Sequence, residues 1–272
     1  MRLDRFLAEA GIGTKKSVRL LVKEGKVTVN EQGFENPAME IDEASDIIRV
    51  RGKVVVHSGR YYYMFHKPQG CITATKDDCC STVLDYFEVS HRSGLFPVGR
   101  LDKDTEGLLL MTNDGEFSHS LMFPEKQIEK TYFFWAFGTL DPTSVSRLLS
   151  GVPIGEGEPL AKAIRLEVIE EGLFEELEER MKLVPIKDIK SDASRQRVVS
   201  GNITITEGRK HQVKRMLKAV GCYVAYLKRI SIGGLFIDEA LQKGQYRELT
   251  KEELRGLYPM DGNEQEKTNE KV

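Results

Sequence analysis

Between Gly99 and Gly115 the chain reads Gly99-Arg100-Leu101-Asp102-Lys103-Asp104-Thr105-Glu106-Gly107, then Leu108-Leu109-Leu110-Met111-Thr112-Asn113-Asp114-Gly115. Asp102 falls in a short polar turn directly before an apolar run that reads as a buried strand. A carboxylate so placed is positioned by the core yet open to a ligand, where it can attack a substrate atom or take a proton. Turn aspartates more often only accept local backbone N–H groups. That is the expectation for Asp104, and for Asp114, which would cap a helix from about Glu116 to Leu121. Hydrolysis of a glycosidic bond would need a second carboxylate opposed to Asp102, and the strings offer one well-placed candidate.

A second polar string, Glu207-Gly208-Arg209-Lys210-His211-Gln212-Val213-Lys214-Arg215-Met216-Leu217, follows the alternating strand Gly201 to Thr206. From Lys210 its pattern is helical, with Val213, Met216, Leu217 and Val220 inward and Gly221 as terminator.

The elements that must hold these strings are ordinary. At 272 residues and 40% apolar content the chain can bury one full-sized domain and a small one. No run approaches the roughly 18 apolar residues of a membrane span, and Met1-Arg2-Leu3-Asp4 starts no apolar leader. The expectation is a soluble cytoplasmic protein. Cys71, Cys79, Cys80 and Cys222 have no Cys-x-x-Cys spacing, so neither a disulfide framework nor a zinc site is suggested, and the chemistry is expected to need no metal or cofactor.

Net charge is −2, from 40 basic and 42 acidic residues, which argues against a uniformly basic nucleic-acid binder. The distribution differs from the total. Met1 to Asn30 carries seven Lys/Arg against three Asp/Glu, and Gly208 to Ile230 carries seven and no acid. Screening confines each field to about 10 Å, so a phosphate feels the local patch.

Leu3, Phe6, Leu7 and Ala10 follow helical spacing up to Gly11. A second helix opens on Thr14, buries Val18, Leu21 and Val22, and ends at Gly25. Its other face bears Lys15, Lys16, Arg19 and Lys23. Strands follow at Lys26 to Asn30 and Asp46 to Val50, and a linker spans Val54 to Arg60. Then comes Arg60-Tyr61-Tyr62-Tyr63-Met64-Phe65-His66-Lys67-Pro68-Gln69-Gly70, an aromatic strand in which core packing explains the tyrosines better than base stacking. Further strands are expected from Glu129 and near Ala163 to Val168, with a helix near Pro142 to Leu149. The acidic segment from Glu170 and the polar stretch to Arg197 read as a surface insertion of about 170–198. A last strand and turn at Leu227 to Leu235 and a helix around Lys251 to Leu257 precede a loose tail, 259–272.

Taken together, the string around Asp102, the Lys-Pro turn, Lys130-Thr131-Tyr132 and the string from Glu207 to Met216 resemble the pseudouridine synthases. The first sixty residues resemble the S4-type RNA-binding domain that one branch carries. The resemblance implies an α+β fold: an S4-like domain over 1–60 and a catalytic domain over 61–258 with a mixed, largely antiparallel sheet. It implies the isomerisation of uridine, in which the N-glycosidic bond breaks, the freed uracil turns, and C5 joins C1′ of the same ribose. Asp102 would be the catalytic carboxylate, Tyr132 would lie against the uracil ring, and Arg209 would pair with Asp102. Arg100, Leu101, Lys130 and Leu235 would line the substrate site. Lys15, Lys16, Arg19 and Lys23, with Lys210, His211, Gln212, Lys214 and Arg215, would meet RNA.

The implied partner is ribosomal RNA, and the implied state a monomer. Tyr63 to Gly70, Ile232-Gly233-Gly234 and Gly244-Gln245-Tyr246-Arg247 look most like the members that modify small-subunit rRNA, with large-subunit rRNA as the alternative. A non-enzymatic S4 factor riding on ribosomes would need only the first sixty residues, and would leave the strings of Asp102, Tyr132 and Arg209 without a use.

Overall fold

The computed structural model describes residues 1–43, 45–55, 59–88, 92, 94–181 and 195–257. The N-terminal unit forms as its periodicity dictates. Leu3, Phe6 and Leu7 of α1 (Leu3–Glu9) pack on Val18 and Val22 of α2 (Lys15–Lys23), and Thr14 caps α2 by accepting from the Ser17 N–H at 3.2 Å. Four short strands, β1 (Val27–Val29), β2 (Gln32–Gly33), β3 (Ile48–Val50) and β4 (Lys53–Val54), make a sheet of order β2-β1-β3-β4. Val27, Val29 and Ile48 close its core against the helices. The four cations of α2 stay exposed. Arg19 also donates to Asp4 at 2.8 Å. Burial would raise that carboxyl, but Arg2 and Arg19 together hold it below its ordinary value.

The catalytic-sized unit is a sheet of order β13-β5-β7-β11-β8-β10-β9, with β6 beside β7 and β12 beside β11. Its strands are β5 (Tyr62–Lys67), β6 (Phe96–Val98), β7 (Glu106–Thr112), β8 (Lys130–Phe137), β9 (Arg165–Leu173), β10 (Arg197–Ile205), β11 (Tyr223–Ile232), β12 (Leu235–Phe236) and β13 (Tyr246–Glu248). The β7–β11 pair is parallel and the other pairs are antiparallel. The fold is therefore α+β with a mixed sheet, as expected.

Every residue of β7 is buried, which is why its sequence is a continuous apolar run rather than an alternation. Leu109 and Met111 enter the core on one face of the sheet with Phe65, Tyr132 and Phe134, while Leu108 and Leu110 enter the core on the other with Met64, Ile232 and Leu235. Gly107 is required where β7 meets β11: its φ is +107°, and a Cβ there would stand 2.2 Å from the Arg229 carbonyl oxygen. Helix α3 (Gly115–Met122) follows, capped by Asp114, which accepts from Glu116 N–H at 2.9 Å and Phe117 N–H at 3.2 Å.

The three tyrosines are used internally. Tyr61 stacks on Tyr63, Tyr63 meets Tyr246 edge-on, and the Tyr62 hydroxyl donates to Asp114.

Helix α4 (Pro142–Ser150) forms as expected, and the first part of the acidic insertion is strand and helix. Strand β9 runs on to Leu173, its residues Glu170 to Leu173 in register with Ser200 to Arg197 of β10. Helix α5 (Phe174–Met181) then buries Phe174 and Met181 against Trp135, Val198 and Tyr226. The segment is acidic because β9 is the edge strand of the sheet, and charged side chains on a solvent-facing edge are what such a strand tolerates. The remainder of the insertion, 182–194, and the tail lie outside the described residues, as do 56–58 of the linker. Helices α6 (Gln212–Ala219) and α7 (Lys251–Gly256) complete the unit.

Candidate active site

Asp102 sits in the turn between β6 and β7, and the end of β5 with the segment after it holds that turn by its backbone. Lys67, with no exposed surface, donates from Nζ to the carbonyl oxygens of Asp102 (3.0 Å), Thr105 (2.9 Å) and Pro68 (3.0 Å). Three donors meet three acceptors, which is how a buried ammonium is tolerated. Burial pushes its pKa below the ordinary lysine value, and the nearby Asp104 and Asp102 carboxylates oppose that shift. Thr73 adds a reciprocal pair with Leu101, donating to its carbonyl at 2.7 Å and accepting from its N–H at 3.1 Å. Gly70 N–H reaches the Lys103 carbonyl at 2.8 Å. Neither Lys67 nor Thr73 stands out in the sequence; the Lys-Pro step is the one signal.

The Asp102 carboxylate, 28% exposed, lies at the mouth of a small cavity of about 60 Å³. Leu101 and Tyr132 line it, with Ile205 from the end of β10, Val213 from α6 and Leu227 from β11. A wider groove of about 600 Å³, edged by Arg100, Lys103 and Lys210, shares Asp102, Arg209 and His211 with it. One wall is thus apolar and aromatic, suited to a planar ring, and the rim is cationic, suited to a phosphate.

Two side chains of the α6 segment face the carboxylate. Lys214 Nζ is 3.4 Å from Oδ2 and His211 Nε2 is 3.5 Å from Oδ1. A single carboxylate at a cavity of aromatic and aliphatic walls, reached from a positive rim, is an arrangement for chemistry on a base within a polynucleotide.

Comparison with known proteins decides the family. Residues 61–219 match the RNA pseudouridylate synthase family, and residues 1–48 match the S4 domain. The chain belongs to the pseudouridine synthases.

The synthase is 40% identical over 258 residues to YtzG, an uncharacterized RNA pseudouridine synthase of Bacillus subtilis, covering 94% of this chain and 98% of the relative. It is 34% identical to ribosomal small subunit pseudouridine synthase A of Vibrio cholerae, over 95% of this chain and all of that one. To ribosomal large subunit pseudouridine synthase B of Bacillus subtilis it is 33% identical, over 94% and 95% of the two chains.

Several side chains of the synthase lie elsewhere than the resemblance implies. Arg209 lines the cavity, but its guanidinium is bound by Glu207 (2.7 and 3.0 Å), the Pro159 and Leu160 carbonyls and Glu158. It is not paired with Asp102; these acceptors raise its pKa further, Glu207 first.

Gln212 is buried, donating to Glu207 and accepting from Arg209 N–H, and it lines the cavity beside Asp102. Arg215 binds the carbonyls of Ile154 and Lys210 and the Glu158 carboxylate, fastening the 154–158 loop. Lys214 faces two aspartates rather than solvent RNA.

Lys130 is buried outside the cavity and donates to Ile128 and Thr206 carbonyls; burial, then Arg229, pushes its pKa down to about 8. It ties the end of β10 that leads to Arg209.

Leu235 is buried in the core on the opposite face of the sheet, with Met64 and Leu110, so it cannot lie under a base in this cavity. Leu101 and Leu227 are the leucines that line the cavity; the second is one that sequence reasoning placed in a strand without giving it a role. Arg100, Lys210 and His211 remain at the exposed rim.

Proposed function

We propose that this synthase converts a uridine of small-subunit ribosomal RNA to pseudouridine, with Asp102 as the catalytic carboxylate. The observation that carries the reading is the Asp102 carboxylate held at a cavity walled by Tyr132 and Leu227. A uracil ring turned out of its stack would rest on Tyr132 with C1′ toward Asp102. Unstacking costs a few kcal/mol, which the exposed cations Lys15, Lys16, Arg19 and Lys23 and the rim at Arg100, Lys210 and His211 offset by holding phosphates on both sides.

The C1′–N1 bond breaks, the ring turns within the cavity, and C5 bonds to C1′. The C5 proton is lost and N1 gains one, so the reaction balances with nothing consumed. Tight walls keep water from the intermediate. Arg209 shapes this cavity by ordering residues 158–160. Residues 1–60 would hold the RNA and 61–258 perform the reaction, in the cytoplasm, where ribosomes are assembled.

Relatives named for both ribosomal subunits match with similar identity. The strings at Tyr63 to Gly70, Ile232 to Gly234 and Gly244 to Arg247 favour the small subunit. The first and last of these are joined to each other: His66 N–H donates to the Gln245 carbonyl and Gly244 N–H to that of His66.

The test is to incubate the protein with both rRNAs, free and in partly assembled particles, and map pseudouridine by carbodiimide-dependent stops of reverse transcription. A stop at one uridine of the small-subunit RNA is expected. Modification of large-subunit RNA alone would replace the small-subunit assignment, and binding without modification would favour the S4-factor reading.

A further inference from the structure

The N-terminal unit meets the catalytic unit along a seam, and the strand that carries the catalytic turn ends in it. Asn113, buried directly after β7, donates from Nδ2 to the Gly59 carbonyl at 2.9 Å and to the carbonyl of Glu9, the last residue of α1, at 3.4 Å. Its Oδ1 accepts from Tyr61 N–H at 2.8 Å. Arg5 of α1 crosses the seam as well. Its guanidinium meets the Glu116 carboxylate, in the first turn of α3, at 2.5 and 3.0 Å, and Glu9 steadies it from its own helix at 2.7 Å. Gly94, just before β6, has φ +68°, and a Cβ there would stand 2.5 Å from the Glu9 carbonyl oxygen and 3.1 Å from the Gly11 nitrogen. Units joined by a linker ordinarily move against each other; here main chain lies directly on main chain.

We propose that this seam sets a fixed span between the RNA-holding unit and Asp102, so that Arg5, Asn113, Glu116 and Gly94 determine which uridine reaches the cavity although they lie at the far end of β7 from it. The inference rests on the reading that residues 1–60 hold the RNA while Asp102 acts. Strand β7 is the spacer: its seven residues are all buried, and at about 3.3 Å each they separate Asn113 from the catalytic turn by about 23 Å. On the other side of the seam α1 packs on α2 through a shared core, which keeps Lys15, Lys16, Arg19 and Lys23 at one offset from Glu9. An RNA gripped at α2 therefore presents to the cavity the nucleotides that lie one such span away. Two binding elements linked at the right distance reinforce each other, and a loosened link loses that match.

The experiment compares wild type with Gly94→Ala, which wedges the seam, with Glu116→Arg, which sets two guanidinium groups against each other across it, and with the double variant Arg5→Glu, Glu116→Arg, which restores opposite charges. It maps pseudouridine along the rRNA that the wild type modifies, follows the rate at that uridine, and records small-angle X-ray scattering of each protein. Wild type is expected to scatter as one docked body and to modify one uridine. Gly94→Ala and Glu116→Arg should lower the rate at that uridine about 10-fold, add products at neighbouring uridines and scatter with a larger radius of gyration. The double variant should recover most of the rate and the single site.

Wild-type rate and a single site in both Gly94→Ala and Glu116→Arg would overturn the proposal. So would a wild-type protein that scatters as two loosely tethered units, or a loss of rate with the site pattern unchanged and no recovery in the double variant. A wild type that binds rRNA and modifies no uridine would overturn the reading beneath it instead.

Discussion

Asp102→Asn is expected to abolish isomerisation, with a loss of about 10³-fold or more in single-turnover rate, while RNA binding stays within about twofold of wild type. The amide has the size of the carboxylate, and the turn that carries it is held through backbone carbonyls by Lys67 and through Leu101 by Thr73. Neither grip touches the side chain, so the fold and the RNA-binding surfaces should be unchanged. What goes is the negative charge that Lys214 and His211 face, and with it the ability to attack carbon or accept a proton. A 10³-fold loss corresponds to about 4 kcal/mol of transition-state stabilisation. Rates from product mapping over time and affinities from filter binding check both halves. A residual rate within tenfold of wild type would show that another group does the chemistry.

Lys67→Met should produce the largest combined effect on stability and rate. Methionine fills a similar volume but leaves the buried carbonyl of Thr105 and the part-buried carbonyls of Pro68 and Asp102 without the ammonium that now joins them. Each buried acceptor deprived of its donor costs about 1–3 kcal/mol. The relief from no longer burying a charge offsets part of this, so a net loss of about 2–4 kcal/mol is expected. Thr105 N–H still reaches the Asp102 carbonyl at 3.1 Å, which keeps a looser turn. A shift of about 1 Å in a reacting group costs about 100-fold in rate, and that is the fall expected where the variant is still folded. A urea midpoint and a single-turnover rate measure the two effects. Wild-type values for both would mean that the turn is held from elsewhere.

How much was legible in the sequence depended on how local the cause was. Helices α1 and α2, the Thr14 cap and the Asp114 cap follow from periodicity and turn chemistry within a few residues, and all formed as read. The apolar run of β7 announced a buried strand for the same reason.

Lys67 did not announce itself, because a lysine beside a proline is nearly always solvated; only the return of the chain at Asp102 and Thr105 supplies its three acceptors. Leu227 and Leu235 stand on different strands, β11 and β12, on either side of the Gly233-Gly234 turn, and they enter the cores on opposite faces of the sheet, which spacing within the string does not reveal.

Arg209 and Lys214 are five residues apart and both cationic, so spacing alone could not decide which would meet Asp102. The Glu207 and Glu158 carboxylates that draw Arg209 away are a tertiary matter. Glu170 and Glu171 read as a solvated insertion because an edge strand and a loop are both acidic on their wet side.

The most direct measurement of the central claim follows two products from the same RNA, small-subunit rRNA carrying 5-tritiated uridine. Isomerisation predicts that wild type releases one tritium per modified site into water while the base stays attached, with no free uracil. Release of free uracil with an abasic site left in the chain would contradict it and make the enzyme a glycosidase. Retention of all tritium on this RNA and on large-subunit rRNA, with both still bound, would leave the chain an RNA-binding protein whose Asp102 cavity performs no isomerisation on either.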